Sequence, residues 1–408
     1  MLVNFRVNNF KGIEKEAAIS SIASNKIKRN VNDCSYIDDK NKLLKKICII
    51  GCNGSGKTSL LSAINTLQRY ISFPYRRLNS EEQKKDLESM NEKELKKYIL
   101  EINRLKLGEQ NINRQLEPTE IELELFSPDR GDNISGFYKY KIIYDCEHTK
   151  NGVLLEELLY KKNIDSKKYI TLSSKNNILE SNITTTVLYE NNNISLNNKE
   201  FIDYYKTFVR EILDYTDCFF DGGAIDIRKI LEENKNEFTK LCNIADDKII
   251  NVTIDENSEE RNILFWVNNK NYLYFSQLSE GTRKIIVLGS ILLESLKKNS
   301  ISFIDEIELS LHHSLVKFLV DLISIRDKNN YSQIIFTTHS PLLSFSLAND
   351  ELYFIHNHNN EYFCSNVSNA IKNKLLTKDQ NVQKAWFDNI LIKNPDKNKI
   401  EIFFEESH

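Results

Sequence analysis

The sequence lacks an apolar run that is long enough to cross a bilayer. Its most apolar stretch, IIVLGSILLESL at residues 285–296, falls far short of the roughly 20 residues that a membrane-spanning helix needs. The N-terminal stretch MLVNFRVNNFKGIEKE carries charges and contains no apolar core of signal-peptide length. We therefore expect a cytoplasmic protein that has no membrane partner.

Paired cysteines and an excess of one charge are also missing. The seven cysteines, among which no CxxC pair occurs, are Cys34, Cys48, Cys52, Cys146, Cys218, Cys242 and Cys364. We interpret them as reduced thiols rather than as disulfides or zinc ligands. The formal net charge of −3 gives no overall basic field that would attract nucleic acid, although a local basic patch remains open.

Two parts of the chain alternate between strand and helix patterns. The apolar run KICII (46–50) predicts a buried strand, and the glycine loop after it leads into a helix at 59–70. In the last third, ISFI (301–304), QIIFTT (333–338) and ELYFI (351–355) predict strands with a helix after the first of them. This alternation is typical of an α/β fold with a mostly parallel sheet.

The middle of the chain has a different pattern. Residues 121–126, 137–145 and 154–163 predict an antiparallel β-section. Residues 78–114 carry balanced charges and leucines at helical intervals, which predicts a helical insertion. That insertion is either a solvated helical hairpin or a recognition arm for a partner, and charge-rich amphipathic helices favour the first interpretation.

The loop GCNGSGKTSL at 51–60 follows KICII directly and matches G-x-x-x-x-G-K-[ST]. Glycines let backbone N–H groups turn towards phosphate oxygens, and the positive N-terminus of the following helix points at the same place. We expect ATP to bind here with Mg²⁺, so that Lys57 reaches the β- and γ-phosphates and the Thr58 hydroxyl binds the metal. The predicted binding residues of the loop are Asn53, Gly54, Ser55, Gly56, Lys57, Thr58 and Ser59.

The stretch ISFIDEIELSLHH is a second predicted site. A parallel sheet would deliver Asp305 and Glu306 at the carboxyl edge where nucleotides lie. We expect Asp305 to hold Mg²⁺ through water and Glu306 to take a proton from the attacking water. The stretch by itself also fits an ordinary strand that ends in a charged turn, and the glycine loop is what favours the catalytic interpretation.

Two further elements allow a second interpretation. Ser279 and Gly281 in QLSEGTRKI precede a long apolar helix, and they form either an anion site or a simple capped helix start. His339 in FTTHSPLL follows a buried strand and is either structural or catalytic at the same sheet edge.

Taken in order, GCNGSGKT, LSEGT, IDEIE, SLHH and TTHS resemble the P-loop, signature, Walker B, D-loop and switch histidine of ABC-class ATPases. The opening NNFKG is similar to the start of the SMC, RecF and OLD heads. The patterns at 118–160 and DGGAIDI at 221–227 are similar to AAA-type ATPases of bacterial abortive-infection and phage-defence loci. The resemblance covers most of residues 1–356.

This resemblance implies a homodimer, or a higher homo-oligomer, that sandwiches ATP. Lys57 and Thr58 of one copy would face Ser279 and Gly281 of the other, and His339 would sense the γ-phosphate. The D-loop, Ser310 to His312, would touch the partner copy. Gln115 is the candidate for the glutamine of the Q-loop, and the signature departs from the transporter pattern at Glu280 and Thr282.

Two functions from different classes remain. One is an ATP-hydrolysing switch that controls a separate effector, a toxin or a nuclease, in phage defence. The other is a DNA-repair or chromosome-maintenance ATPase of RecF or SMC type, which would bind DNA. A transporter subunit is disfavoured because the spacing between the P-loop and the signature is too long.

We expect residues 1–75 and 278–356 to form a split nucleotide-binding core. Residues 76–277 would supply the helical insertion, the β-section and the signature subdomain, and 357–408 a C-terminal appendage. We interpret His356 and His358 as loop residues rather than as part of an HNH nuclease, which needs a ββα-metal arrangement.

Overall fold

The computed structural model describes residues 1–13, 16–78, 118–131, 133–144, 153–166, 168–176, 216–218, 227–256, 262–324, 330–358 and 361–372. The strands are β1 Leu2–Asn8, β2 Ala17–Ser20, β3 Cys34–Tyr36, β4 Lys42–Leu44, β5 Lys46–Ile50, β6 Thr119–Ser127, β7 Gly136–Tyr144, β8 Val153–Lys161, β9 Ile170–Asn176, β10 Thr216–Cys218, β11 Asn251–Ile254, β12 Ile263–Trp266, β13 Tyr272–Tyr274, β14 Ile301–Ile304, β15 Gln333–Thr338, β16 Leu352–His358 and β17 Glu361–Asn366. The helices are α1 Lys57–Leu78, α2 Ile227–Glu233, α3 Lys235–Ala245, α4 Glu280–Lys298, α5 His313–Leu322 and α6 Val367–Lys372.

The chain divides into two compact units. The P-loop unit, named for the loop at 51–58, comprises Leu2–Ser24, Cys48–Leu213 and Leu347–His408. The carboxylate unit, named for Asp305 and Glu306, comprises Met1, Asn25–Ile47 and Asp214–Ser346. One boundary between the units therefore falls inside β5.

The P-loop unit contains a six-stranded antiparallel sheet in the order β2-β1-β6-β7-β8-β9. The alternating sequence of β6 explains its orientation in the sheet, because Ile121, Leu123 and Leu125 are all buried. The glutamates between them take the other face, where Glu122 forms an ion pair with Lys139 of β7 at 2.7 Å. Cross-strand pairs of this kind help to fix the register. The predicted antiparallel β-section is confirmed.

The same unit carries the strand and helix that flank the glycine loop. Cys48 of β5 lies opposite Leu352 of the parallel strand β16. Helix α1 begins at Lys57, immediately after the loop, and buries Leu60 and Ile64, which are spaced one helical turn apart. The predicted order of strand, glycine loop and helix is confirmed, and the helix is longer than the residues 59–70 that the sequence pattern indicated.

The carboxylate unit has a parallel arrangement of β10, β14 and β15, in which Ile301 lies opposite Gln333. Strand β14 is buried along its whole length, as expected for a strand inside a parallel sheet. A separate core forms where α2, α3 and α4 pack with the antiparallel strands β11 and β12, around Phe238, Phe265 and Ile286. The predicted α/β fold class is confirmed.

The C-terminal residues of the described chain overturn one expectation. His356 and His358 were expected in a loop, but both lie in β16. The reason is a partner strand, since β17 pairs with β16 antiparallel and places Phe363 opposite His356 and Glu361 opposite His358. Residues 361–372 of the predicted appendage thus form a strand and a short helix.

Other expectations fall on residues that the structure does not describe. Most of the predicted helical insertion at 78–114, the Q-loop candidate Gln115 and residues 221–226 of DGGAIDI lie outside the described residues. The assignment of a split nucleotide-binding core stays a prediction. Of the helices within the described ranges, none combines the length and the apolar character that crossing a bilayer requires.

Candidate functional site

The glycine loop turns tightly between β5 and α1. Gly54 and Gly56 have positive φ angles, of 72° and 95°, in the left-handed region that glycine tolerates. A Cβ on Gly51 would lie 2.3 Å from Ser55 Oγ and 2.5 Å from the carbonyl oxygen of Ile355, so position 51 has no room for a side chain. The loop is therefore closed by backbone contacts that only glycine permits.

Lys57 places its ammonium group inside this loop. The residue is 4% exposed, and Nζ donates hydrogen bonds to the carbonyl oxygens of Gly51 at 2.8 Å and Cys52 at 2.9 Å. The ammonium group therefore lies against the backbone of the loop. A loop with glycine backbone, a buried cation and a helix N-terminus beside it fits an anionic phosphate group.

The other predicted residues of the loop differ in exposure. Asn53 and Gly54 are exposed, Ser55 is buried, and Thr58 and Ser59 are half-buried in the first turn of α1. Cys52 was not predicted to act in the site, and burial raises the pKa of its thiol despite the opposing charge of Lys57. A raised thiol pKa keeps Cys52 protonated at neutral pH, so this residue is a poor nucleophile.

The signature serine caps helix α4 in the carboxylate unit. Ser279 Oγ accepts a hydrogen bond from the Thr282 N–H at 3.1 Å and lies 2.7 Å from Thr282 Oγ1. The capping interpretation of Ser279 is therefore realised in the structure. A Cβ on Gly281 would lie 3.1 Å from the carbonyl oxygen of Ser310, which explains why a glycine suits this position.

The carboxylates follow β14 and are held by the neighbouring strand. Thr337 at the end of β15 donates a hydrogen bond from its hydroxyl to Asp305 Oδ1. The same hydroxyl oxygen accepts from the Glu306 N–H at 2.8 Å, and the Thr337 carbonyl accepts from the Ile307 N–H at 3.1 Å. Glu306 has a φ of 48°, which is unusual for a residue with a side chain and is often found at functional sites.

The structure brings the two predicted catalytic side chains of this unit together. His339 Nε2 lies 3.4 Å from Glu306 Oε1, and both side chains are about one-third exposed. The His339 backbone N–H donates to Glu308 Oε1, which fixes the histidine against the same turn. Partial exposure leaves both side chains accessible to a bound molecule, as a catalytic pair requires.

The D-loop residues make contacts within their own unit. Ser310 has a φ of 61°, and its hydroxyl donates to Glu280 Oε1 at 2.7 Å, in the first turn of α4. His312 caps α5, where its side chain accepts from the Ser314 N–H. The predicted contact of Ser310 to His312 with a second copy stays a prediction.

Sequence analysis missed three residues of this turn. Thr337 and Glu308 contact the predicted carboxylates and His339 directly, as described above. Lys284, on α4, has its Nζ 3.5 Å from the Glu306 carbonyl oxygen. Burial lowers the pKa of Lys284, against the opposing charges of nearby glutamates. Thr337 and Lys284 are close to the turn only through tertiary structure, so no spacing rule would have identified their contacts. Glu308 lies two residues after Glu306 in the stretch ISFIDEIELSLHH, and only its contact with the His339 N–H gives it a role.

Among the comparisons with known proteins, the family model agrees with the motifs. A family model described as "AAA domain, putative AbiEii toxin, Type IV TA system" matches residues 46–345. Comparison with curated proteins finds no match. Among solved structures, an SMC head domain from Thermotoga maritima is similar at 13% identity and a TM-score of 0.42, covering 90% of this chain and 98% of that one. An SMC head bound to the C-winged helix domain of ScpA is similar at 14% identity and a TM-score of 0.47, covering 91% and 99%.

Proposed function

The chain belongs to this AAA-domain family, and on that premise we propose that it is an ATP-hydrolysing switch. Two copies close around ATP with Mg²⁺, and hydrolysis opens them again. The switch controls a separate effector, a toxin or a nuclease, in defence against phage. The observation that carries the proposal is the Asp305–Glu306 turn after the buried parallel strand β14. In this turn the backbone of Glu306 is in the left-handed region, and the Glu306 side chain lies beside that of His339.

In this proposal the glycine loop binds the phosphates of ATP. Lys57 exchanges its bonds to the loop carbonyls for bonds to the β- and γ-phosphates, while the backbone N–H groups of residues 53–59 bind the remaining oxygens. Thr58 and Asp305 supply hydroxyl and carboxylate oxygens, which are the hard ligands that Mg²⁺ prefers. Mg²⁺ held by these residues would neutralise charge on the phosphates.

Glu306 acts as the general base, and His339 positions it. A carboxylate that is one-third exposed can reach a water molecule, and the histidine 3.4 Å away restricts its orientation. The His339 ring also serves as the contact to the γ-phosphate. Because the backbone of Glu306 is held in a strained conformation, its side chain is directed before ATP binds.

The second copy completes each site with the start of its α4. Ser279 and Gly281 contribute backbone N–H groups and a helix N-terminus, which suit a phosphate. The Ser310–Glu280 bond connects this helix start to the segment that follows Asp305, Glu306 and Ile307 (the carboxylate turn) in the same chain. Closure of the dimer is therefore transmitted to Glu306. ATP thereby stabilises the closed state by its higher affinity for it.

The family description supports the defence role in this proposal. It names a putative AbiEii toxin and a type IV toxin–antitoxin system, which supports a role in abortive infection. A switch of this kind transmits a nucleotide-dependent change of shape to another protein. We therefore place the harmful activity on a separate effector that the ATPase holds or releases.

The test uses the full chain with Glu306→Gln, which keeps the size of the side chain and removes the base. Its native mass is measured with and without Mg-ATP after purification from the natural host. We expect ATP to shift this variant from monomer to dimer and a second protein to co-purify with it. Phage protection in that host should be lost.

The matched control is Glu294→Gln on α4, where Glu294 pairs with Lys298. This control should behave as the wild type does. A mass that ignores ATP, with no second protein bound, would overturn the switch. Hydrolysis that DNA stimulates and that weakens steeply with salt would instead favour the DNA-repair function.

A further inference from the structure

We propose that Thr337 is a positioning residue for hydrolysis, which orients the Asp305 carboxylate and holds the backbone of Glu306. The inference rests on the proposed ATPase function and deepens it. Thr337 is the last residue but one of β15, and its side chain is completely buried. Thr337 is the first residue of the stretch TTHS, but the sequence does not show that it contacts the carboxylates, which lie more than thirty residues earlier.

Three consecutive residues are bonded to this one threonine. The hydroxyl of Thr337 donates to Asp305 Oδ1 and accepts from the Glu306 N–H at 2.8 Å. The carbonyl of Thr337 accepts from the Ile307 N–H at 3.1 Å. The end of β15 therefore holds the carboxylate turn in its conformation through contacts with a distant part of the sequence.

The hydrogen-bond directions leave the hydroxyl little freedom. A peptide N–H can only donate, so the Thr337 oxygen must accept from Glu306. The single hydroxyl proton then goes to Asp305, whose carboxylate can only accept. Bonds to an ionised acceptor are the stronger ones, and this bond restricts the orientation of the Asp305 carboxylate, which would hold Mg²⁺ in the proposed function.

The strain at Glu306 gives the second half of the argument. A glutamate with a φ of 48° occupies a sparsely populated conformation that persists only where its surroundings hold it. The bond from its N–H to Thr337 is the contact that anchors this peptide at the strand end. Removing the hydroxyl lets the peptide relax, and the Glu306 side chain then points elsewhere.

A strand-end hydrogen bond with a purely structural role is the competing explanation, and the next residue provides its control. Thr338 is equally buried, and its hydroxyl accepts from the Ser340 N–H at 2.9 Å. It makes no described bond to the carboxylate turn. Thr338→Val therefore removes a buried hydroxyl from the same strand without touching Asp305 or Glu306.

The experiment compares Thr337→Val, Thr337→Ser and Thr338→Val in the full-length chain. Amide hydrogen exchange of the peptide containing Glu306 and Ile307 is measured without nucleotide, and so does not depend on activity. Binding of a fluorescent ATP analogue is measured in EDTA and then as a function of Mg²⁺. Values of kcat and KM for ATP complete the set.

We expect Thr337→Val to exchange faster at Glu306 and to need about 10–100-fold more Mg²⁺, or to lose kcat by a similar factor. Its affinity for the analogue in EDTA and its KM should change little. Thr337→Ser keeps the hydroxyl and should restore both properties, and Thr338→Val should match the wild type. If Thr337→Val fails to fold, Thr337→Ala removes the same hydroxyl without the added methyl group.

The two proposals fail in different ways. If the wild type binds and hydrolyses ATP while Thr337→Val and Thr338→Val behave alike, the positioning role is overturned and the ATPase stands. A Thr337→Ser variant as impaired as Thr337→Val would overturn it as well. If the wild type itself neither binds nor hydrolyses ATP, the proposed function falls and the inference falls with it.

Discussion

Replacing Gly51 by alanine tests whether the glycine loop is shaped by the contact that the structure shows. The added Cβ would lie 2.3 Å from Ser55 Oγ and 2.5 Å from the Ile355 carbonyl oxygen. The serine can rotate away, but the carbonyl belongs to the backbone of β16, which is paired with β5. Relief therefore requires the two strands to move apart or the loop to shift.

The magnitude follows from these contacts. Overpacking in a well-packed site costs about 1–3 kcal/mol, and an obstacle made of backbone places Gly51→Ala near the upper end. The smaller entropy of the unfolded alanine chain offsets about 0.4–1 kcal/mol. We expect a net loss of about 2 kcal/mol in the free energy of unfolding, which lowers the melting temperature of a unit of this size by about 4–8 °C.

Two other glycines serve as controls in the same assay, thermal unfolding followed by circular dichroism. Gly12→Ala meets no atom within 4 Å, so the melting temperature should barely change. Gly54→Ala also meets no atom, but its φ of 72° strains a residue with a side chain and should cost about 1 kcal/mol. ATP affinity should fall most for Gly51→Ala, because the whole loop is displaced.

The order of the three variants decides the matter. If Gly51→Ala melts at the same temperature as Gly12→Ala, the close approach of Ile355 to the loop is absent in solution. The argument that packing, and not only phosphate binding, demands glycine at position 51 would then be refuted.

Three further variants probe other contacts. Lys46→Met removes the partner of Asp33 (2.9 Å apart and largely buried) and should cost about 3 kcal/mol at pH 7, measured by urea unfolding. Burial by itself would raise the pKa of Asp33, but the bond to Lys46 and the charge of Lys46 lower this pKa overall. The pair therefore stabilises the fold above about pH 4, and this stabilisation is lost as the pH falls further. A stability difference between wild type and variant that grows in acid would contradict this. Gly289→Ala brings a Cβ within 2.4 Å of Leu241 Cδ1 and should cost about 1–2 kcal/mol in the same assay. This cost is smaller than that of a backbone clash because the leucine side chain can rotate. Unchanged stability would mean that α3 and α4 are not packed this closely. Lys57→Ala should abolish binding of a fluorescent ATP analogue while the circular dichroism spectrum stays native, and normal affinity would refute the assignment of the phosphate site.

Local patterns predicted the elements whose chemistry is contained in a short stretch. The glycine loop could be recognised because its spacing of Gly51, Gly56 and Lys57 is itself the requirement for turning backbone towards phosphate. The antiparallel β-section could be recognised because alternation in β6 separates a buried face from a charged one. The position of Asp305 and Glu306 at a strand end followed from the apolar run before them.

Contacts between distant segments were beyond the reach of the sequence pattern. His356 and His358 were interpreted as loop residues rather than as part of a nuclease motif, but pairing with β17 extends the strand through both. Ser279 allowed two interpretations, and only the position of the Thr282 N–H showed that it caps α4. Tertiary override of a local preference is the physical reason for the histidines, whereas the cap at Ser279 is a local contact that the sequence pattern had already allowed.

The sequence by itself determined which residue types stand at the nucleotide-binding loop and at the carboxylate strand end, since those requirements are local. Tertiary structure alone decided how the carboxylates are held. The parallel register of β14 and β15 brings Thr337 beside Asp305 and Glu306, which lie about thirty residues earlier. Hydrogen bonds across that distance leave no periodic trace in a single sequence, and they are what fixes the left-handed turn at Glu306.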